Sequence, residues 1–280
     1  MSLLAAVFTL RPQQHAAIPA DQGRALAAEF LRWVQARDPA FAAELHRANE
    51  RRPYTFSSLR SGSFHSRQLF LLPNHPVWWR VTTLTPRLSA FLQEQILPHL
   101  PAEITLGGQT FDVLSATCDA RQHPWAGQTT FENLAAGALL EERQPRPYIQ
   151  MEFATPTTFH SEGRHQPFPL PKMVFLQWLE KWNAFSPVRF PRDVIAIVKN
   201  HLAVSRYRLE SHVVKFGETM FIGFTGYCSY RLLVEDPYWL RVLHALASFA
   251  FFCGTGAKTS FGMGQTRKIY DLDRKNSRSR

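Results

Sequence analysis

The chain has 280 residues, 45% of them hydrophobic and 19% charged, a composition that supports one large core or two ordinary ones and excludes a disordered chain. Its 32 Lys and Arg against 22 Asp and Glu leave a net +10, which points to a polyanionic partner, either nucleic acid or an anionic membrane surface. No stretch approaches the roughly 20 apolar residues of a spanning helix, and no basic segment precedes Leu3–Leu10, so a cytoplasmic protein is expected. The cysteines, Cys118, Cys228 and Cys253, are scattered, and the 11 histidines show no ligand spacing; no metal, cofactor or disulfide framework is expected.

In chain order, Leu3–Leu10 is a short apolar run that fits a buried strand. A helix follows from Gly23, with Leu26, Phe30, Trp33 and Val34 on one face and Arg24, Glu29, Arg32 and Gln35 on the other. Asp38-Pro39 reads as an N-cap and a first-turn proline, opening a second helix that carries Phe41 and Leu45. Tyr54–Leu59 and Val77–Leu84 read as strands, Pro86 starts a helix that ends before Pro98, and Phe111–Thr117 is a further strand. Glu141–Pro147 is the expected linker. Beyond it, Tyr148–Phe153 alternates as a strand, Lys172–Trp182 is an amphipathic helix, and Val194, Ile195 and Val198 mark another after Pro191. Leu202–Lys215 and Thr219–Tyr230 form a long hairpin turned at Phe216-Gly217. Asp236-Pro237 caps a final helix to Phe252, and Met263–Tyr270 is the last strand. The order β-α-β-β-α-β thus occurs twice, which predicts an α+β protein of two tandem ferredoxin-like domains. The predicted boundaries are 1–143, 144–273 and a basic tail at 274–280.

The most specific local feature is Gly254-Thr255-Gly256-Ala257-Lys258-Thr259-Ser260-Phe261-Gly262-Met263-Gly264, between a helix and a strand. A mononucleotide P-loop has the opposite order of elements and a glycine immediately before its lysine, where this chain has Ala257. Two readings remain. One is a loop whose backbone N–H groups approach a phosphate chain, helped by Lys258 and Arg267. The other is a helix stop at Gly254 followed by a tight turn.

The form G-x-G-x(5)-G-x-G after a helix resembles the glycine-rich signature of the repeat-associated (RAMP) RNA-binding proteins of CRISPR systems. Within them the chain resembles the endoribonucleases that cut the CRISPR precursor transcript, the Cas-six family. The similarity extends to Glu152–Thr157, Trp182-Asn183, Gly223-Phe224-Thr225-Gly226 with Tyr230, and, in the first half, Leu45-His46 followed by Arg52–Leu59. The resemblance implies an enzyme that needs no metal, because the RNA 2′-hydroxyl is the nucleophile. It leaves a 2′,3′-cyclic phosphate, or its opened form, and a 5′-hydroxyl. It places His46 as the proton-transferring group, since a histidine can serve as base or acid at neutral pH. Arg52 occupies the place of a cationic transition-state stabiliser, with Arg51 and Arg47 beside it. Some relatives carry a tyrosine in the first helix; this chain has none before Tyr54, leaving Tyr54, Ser57, His15 and His65 as weaker candidates for the second group. RNA contacts are expected from Gly254, Gly256, Lys258, Gly262, Gly264 and Arg267, and from Arg206 and Arg208 on one strand face. His160, Arg164 and His165 lie in a loop that forms a hairpin over RNA or covers a sheet edge, and Trp78-Trp79 must place a ring on an outer face. The implied partners are CRISPR repeat RNA, within a monomer or homodimer, and subunits of an effector complex. The alternative is a non-catalytic RAMP-type subunit that binds guide RNA in such a complex.

Overall fold

In this computed structural model, which describes residues 2–47, 51–61, 68–216 and 219–269, the chain divides into two units. The first comprises the residues up to Thr130 together with Lys258–Met263; the second comprises Phe131–Ala257 and the residues from Gly264 onward. The Phe216-Gly217 turn falls partly outside the described residues, and His65, Tyr270 and the basic tail lie wholly outside them.

The first unit runs β1 (Leu3–Pro12), β2 (Ala16–Pro19), α1 (Gly23–Arg37), α2 (Pro39–His46), β3 (Tyr54–Phe56), β4 (Gln68–Leu71), β5 (Val77–Thr83), α3 (Pro86–Phe91), β6 (Glu103–Leu106), β7 (Gln109–Thr117) and β8 (Gly127–Thr129). Its sheet has the order β3-β5-β1-β7-β6, with β8 also on β1, and its pairs are antiparallel. The apolar run of β1 lies at the middle because it is buried on both faces. Leu4, Ala6, Phe8 and Leu10 alternate into a core shared with Leu26, Phe30, Trp33 and Val34 of α1 and Trp79 and Val81 of β5. Phe8 and Trp79 rings meet at 4.9 Å, and Trp33 stands edge-on to Trp79 at 5.6 Å. Each such side chain removed from water contributes about 1.5–3 kcal/mol.

Two expectations for this unit are corrected. Glu29 does not face solvent: it is buried, accepts a 2.8 Å hydrogen bond from Trp33 Nε1, and pairs with Arg32. A helical carboxylate tolerates that position because both of its oxygens find donors. The helix from Pro86 does not simply stop before Pro98; it continues as a π turn at Leu92–Ile96 and a 3-10 turn at Leu97–His99 that contains Pro98. Proline lacks the N–H that an α-helical turn would need there, and the first turn of a 3-10 segment makes no such demand.

The second unit runs α4 (Phe131–Leu139), β9 (Tyr148–Thr157), β10 (Phe159–Ser161), β11 (Arg164–Gln166), α5 (Pro171–Phe185), α6 (Val194–His201), β12 (Leu202–Phe216), β13 (Thr219–Leu232), α7 (Pro237–Cys253) and β14 (Thr266–Ile269). Its sheet order is β12-β13-β9-β14, again antiparallel. In both units the last β-strand of the β-α-β-β-α-β set lies beside the first, β7 on β1 and β14 on β9. The protein is therefore α+β with two ferredoxin-like units. Asp236 caps α7 by accepting from the N–H groups of Tyr238 and Trp239, as Asp38 caps α2 through Phe41 N–H at 2.8 Å. Helix α4, on the N-terminal side of residue 143, sends Phe131 into the second core, 5.1 Å from Trp182 and 5.3 Å from Phe249. The Glu141–Pro147 segment carries no helix or strand. Arg241 donates to the carbonyls of Ala138, Leu139, Glu141 and Arg143, and His244 Nε2 to that of Arg146 at 2.9 Å. Cys228 and Cys253 are buried and burial pushes both thiols up to about 12, which makes them unreactive core residues.

Candidate active site and nucleic-acid interface

His46 is the last residue of α2. Phe41, Ala42 and Leu45 turn inward, and this leaves His46 and the following Arg47 exposed. Three residues, 48–50, lie outside the description, after which Arg51 is exposed and Arg52 half-buried. Arg52 is not aimed at open solvent alone. Its Nη1 donates to the Leu45 carbonyl and, at 3.2 Å, to the Tyr54 hydroxyl, which itself lies 3.4 Å from the same carbonyl. The Leu45 carbonyl is among the last-turn acceptors that a helix leaves without an internal donor, so Arg52 and Tyr54 together finish α2 next to His46. Burial raises the Tyr54 hydroxyl above the ordinary tyrosine range, and Arg52 only partly opposes this. On the far side of α2, Arg87 pairs with Glu44 at 2.6 Å and lies 4.1 Å over the Phe41 ring, bracing the helix.

The weaker candidates for a second proton-transfer group separate clearly. Tyr54 is 3% exposed and engaged as described. Ser57 is fully buried and its Oγ accepts the Arg80 N–H at 2.7 Å. His15 is exposed beyond the end of β1. Trp78 packs beneath a loop, edge-on to His123 at 4.8 Å and 5.7 Å from Arg60, while Trp79 is core. Arg80 has no counterpart among the sequence expectations: it is 1% exposed, with Nε donating to the Trp125 carbonyl at 2.7 Å.

The glycine loop is closely packed within the protein. Gly254, Gly256, Gly262 and Gly264 are all buried. A Cβ at Gly256 (φ 83°) would stand 2.4 Å from the Thr158 carbonyl oxygen, and one at Gly262 (φ 96°) would stand 2.5 Å from Ser58 Oγ. At Gly256 and Gly262 the protein's own packing and the positive φ are sufficient to demand glycine. Several loop amides are also engaged internally. Gly254 N–H donates to Ala250, Thr255 to Gly264, Ala257 to Thr158, Gly264 to Pro156, and Gly256 to Gln177 Oε1. The group that the loop holds out to solvent is Lys258, itself in the left-handed conformation at φ 59°.

Within the second unit, strand register aligns four residues across one sheet face. Arg208 of β12 lies opposite Tyr227 of β13, Tyr227 opposite Glu152 of β9, and Glu152 opposite Arg267 of β14. Arg267 Nε is 2.6 Å from Glu152 Oε2, and the Tyr227 hydroxyl donates to Glu152 Oε1 at 3.3 Å. Burial first, then the Glu152 charge, raises Tyr227 above the ordinary tyrosine range; Arg267 and Arg208 oppose this. Arg267 is therefore an ion-pair partner as well as a candidate phosphate contact. Arg206 and Arg208 share this face and are exposed, with a bulge between Val204 and Arg206 preceding them. The part of Tyr227 was hidden from sequence reasoning because it depends on which strand neighbours β13; the only local signal was polar alternation at Tyr227, Ser229 and Arg231.

Two family models match: the Cas6 N-terminal domain over residues 3–136 and the CRISPR-associated endoribonuclease Cas6 over 151–266. A Cas6 endoribonuclease of Streptococcus thermophilus is 27% identical over 139 residues, 48% of this chain and 56% of the relative. One of Mycobacterium tuberculosis is 31% identical over 120 residues, 42% of this chain and 38% of the relative. The matched regions thus span about half the length of these curated relatives, or less. Thermus thermophilus Cas6 superposes with a TM-score of 0.74 at 26% identity, covering 96% of this chain and 98% of that one. A solved Cas6 product complex gives 0.79 at 28%, covering 95% and 100%. A RAMP protein described as binding different RNA substrates, at 14% identity and a TM-score of 0.61, shares the fold. With models of both halves matched and the fold superposed over nearly its whole length, the chain belongs to the Cas6 family.

Proposed function

We propose that this chain is an endoribonuclease that binds CRISPR repeat RNA and cuts the precursor transcript into guide RNAs, without a metal ion. The observation that carries the reading is His46, exposed at the end of a helix whose last turn Arg52 and Tyr54 close, with Arg47 next to it in the chain and Arg51 next to Arg52. Relatives named as Cas6 endoribonucleases, and structures described as product and substrate-mimic complexes, support the same substrate class.

In the proposed reaction the RNA 2′-oxygen attacks the adjacent phosphorus and the bond from phosphorus to the 5′-oxygen breaks. The 2′-proton leaves to a base, and a proton arrives at the departing oxygen. His46 carries one of these transfers. The added charge on the phosphorane is met by the run Arg47, Arg51 and Arg52, whose guanidinium groups suit paired phosphate oxygens and do not give up protons. Products end in a 2′,3′-cyclic phosphate and a 5′-hydroxyl. Lys258, Arg206, Arg208 and Arg267 supply phosphate contacts along the RNA, and Gly254, Gly256, Gly262 and Gly264 give the loop the shape that presents Lys258.

The test incubates the purified chain in EDTA with a repeat RNA and with the same RNA carrying one 2′-deoxy substitution before the cut. Cutting of the first and survival of the second is the expected result. Tight binding of both with no cutting would assign a non-catalytic guide-RNA subunit instead. Undiminished cutting by His46→Ala would remove His46 from the site.

A further inference from the structure

A short two-stranded finger follows β9 in the second unit, and the Thr158 carbonyl at its base accepts the Ala257 N–H of the glycine loop. Strands β10 and β11 pair His160 with His165 and Ser161 with Arg164 across a two-residue turn, Glu162-Gly163. Both turn residues have positive φ, 51° and 73°, the geometry of the mirror-image hairpin turns that match strand twist. Glu162 is not a glycine, and a non-glycine residue held there carries backbone strain that the surrounding structure must sustain. The finger is thus preorganised, not a slack loop.

What it presents is a short ladder of rings. His165 lies nearly parallel to Phe221 of β13, centroids 4.7 Å apart at 17°, and His160 stands edge-on to His165 at 5.5 Å and 82°. Phe221 is buried, whereas His160, Arg164 and His165 are exposed. An apolar ring therefore anchors the base of the ladder, and its solvent end consists of planar, hydrogen-bonding rings beside a guanidinium. A protein partner would be expected to find apolar area here, and the finger offers little. Planar faces next to a cation, in a chain of net +10, instead match an unpaired nucleobase with its phosphate.

We propose that the finger Phe159–Gln166 is a stacking platform for an unpaired nucleotide of bound RNA, with His160 and His165 against the base and Arg164 on its phosphate. The proposal rests on the RNA-binding reading above and names a subsite for it. It accounts for a strained turn and an exposed imidazole pair that neither the proton transfers nor the arginine face requires.

The test uses the full chain with a fluorescently labelled oligouridylate and an RNA duplex of the same length, read by anisotropy, with repeat-RNA cleavage measured in parallel. His160→Ala with His165→Ala is expected to weaken oligouridylate binding about tenfold while duplex binding changes little, as loss of one base–ring stack does. His165→Tyr keeps a planar ring and is expected to retain most of the affinity, which distinguishes stacking from a general folding defect. Arg164→Ala is expected to weaken binding and reduce its salt dependence. Parental oligouridylate affinity in the double alanine variant, with cleavage intact, overturns the finger and leaves the nuclease standing. A parent that binds oligouridylate but cuts nothing, with the variants weakened, keeps the finger and sinks the nuclease. A parent that binds no RNA overturns both.

Discussion

The joint between Arg52, Tyr54 and the Leu45 carbonyl makes a prediction that separates two roles for one arginine. Helix α2 has eight residues, too few to hold its last turn by itself. That turn is closed from outside by Arg52 Nη1 and by a tyrosine hydroxyl 3.4 Å from the same oxygen. Arg52→Ala removes a hydrogen bond from a charged donor, worth about 2 kcal/mol, and Tyr54→Phe removes a neutral one, worth about 1 kcal/mol. His46 follows Leu45 directly, so fraying displaces the proposed acid/base group, and a shift of about 1 Å costs on the order of a hundredfold in rate. Single-turnover cleavage of repeat RNA is expected to fall about a hundredfold in Arg52→Ala and about tenfold in Tyr54→Phe. RNA affinity should be unchanged in Tyr54→Phe, and the double variant should be less than additive, since both act on one carbonyl. Tyr54→Phe touches no phosphate in either account. Parental cleavage by Tyr54→Phe, alongside a crippled Arg52→Ala, would refute the helix-end role and leave the guanidinium only its proposed part at the phosphorane.

Other outcomes follow from burial and register. Gly256→Ala should lower stability by at least about 2 kcal/mol, seen as a fall in Tm, because the methyl meets the Thr158 carbonyl at 2.4 Å and φ is positive; a neutral change would mean that the loop relaxes freely. Arg80→Met should cost about 1–3 kcal/mol by leaving the Trp125 carbonyl without its Nε donor, and a stabilised variant would show the buried charge to be the larger burden. His244 is held down to about 4, by burial first and then by Lys268, against an ordinary 6.5. Between those values the unfolded chain binds the proton and the folded one does not, so stability falls as pH drops from 6.5 toward 4. His244→Gln keeps a donor for the Arg146 carbonyl and should flatten the Tm profile in that window; an unchanged slope would assign the acid loss elsewhere.

How far the structure was legible depends on whether a feature is local. The alternation of Tyr148–Phe153, the helical spacing of Leu26, Phe30, Trp33 and Val34, and the caps Asp38 and Asp236 are properties of short windows, and each marks the element observed. Strands β2 and β8 have four and three residues and exist because the sequence-distant β4 and β1 lie alongside them, which no window contains, whereas β6 pairs with β7 across the local Gly107-Gly108 turn. The site divides the same way. A missing Cβ at Gly256 states that something comes close, but its occupant, the Thr158 carbonyl, is sequence-distant. A guanidinium at position 52 or 80 states a charge, but its acceptor, Leu45 or Trp125, is set by the fold. The same distinction bears on the surplus of +10. Arginines whose donors are turned to backbone carbonyls within the chain, such as Arg80 and Arg241, keep their charge and lose their reach. Arg267, facing Glu152, loses part of both. A polyanion reaches exposed cations such as Arg47, Arg164, Arg208 and Lys258, so the salt dependence of RNA binding should report a subset of the cations and not the sum of the sequence.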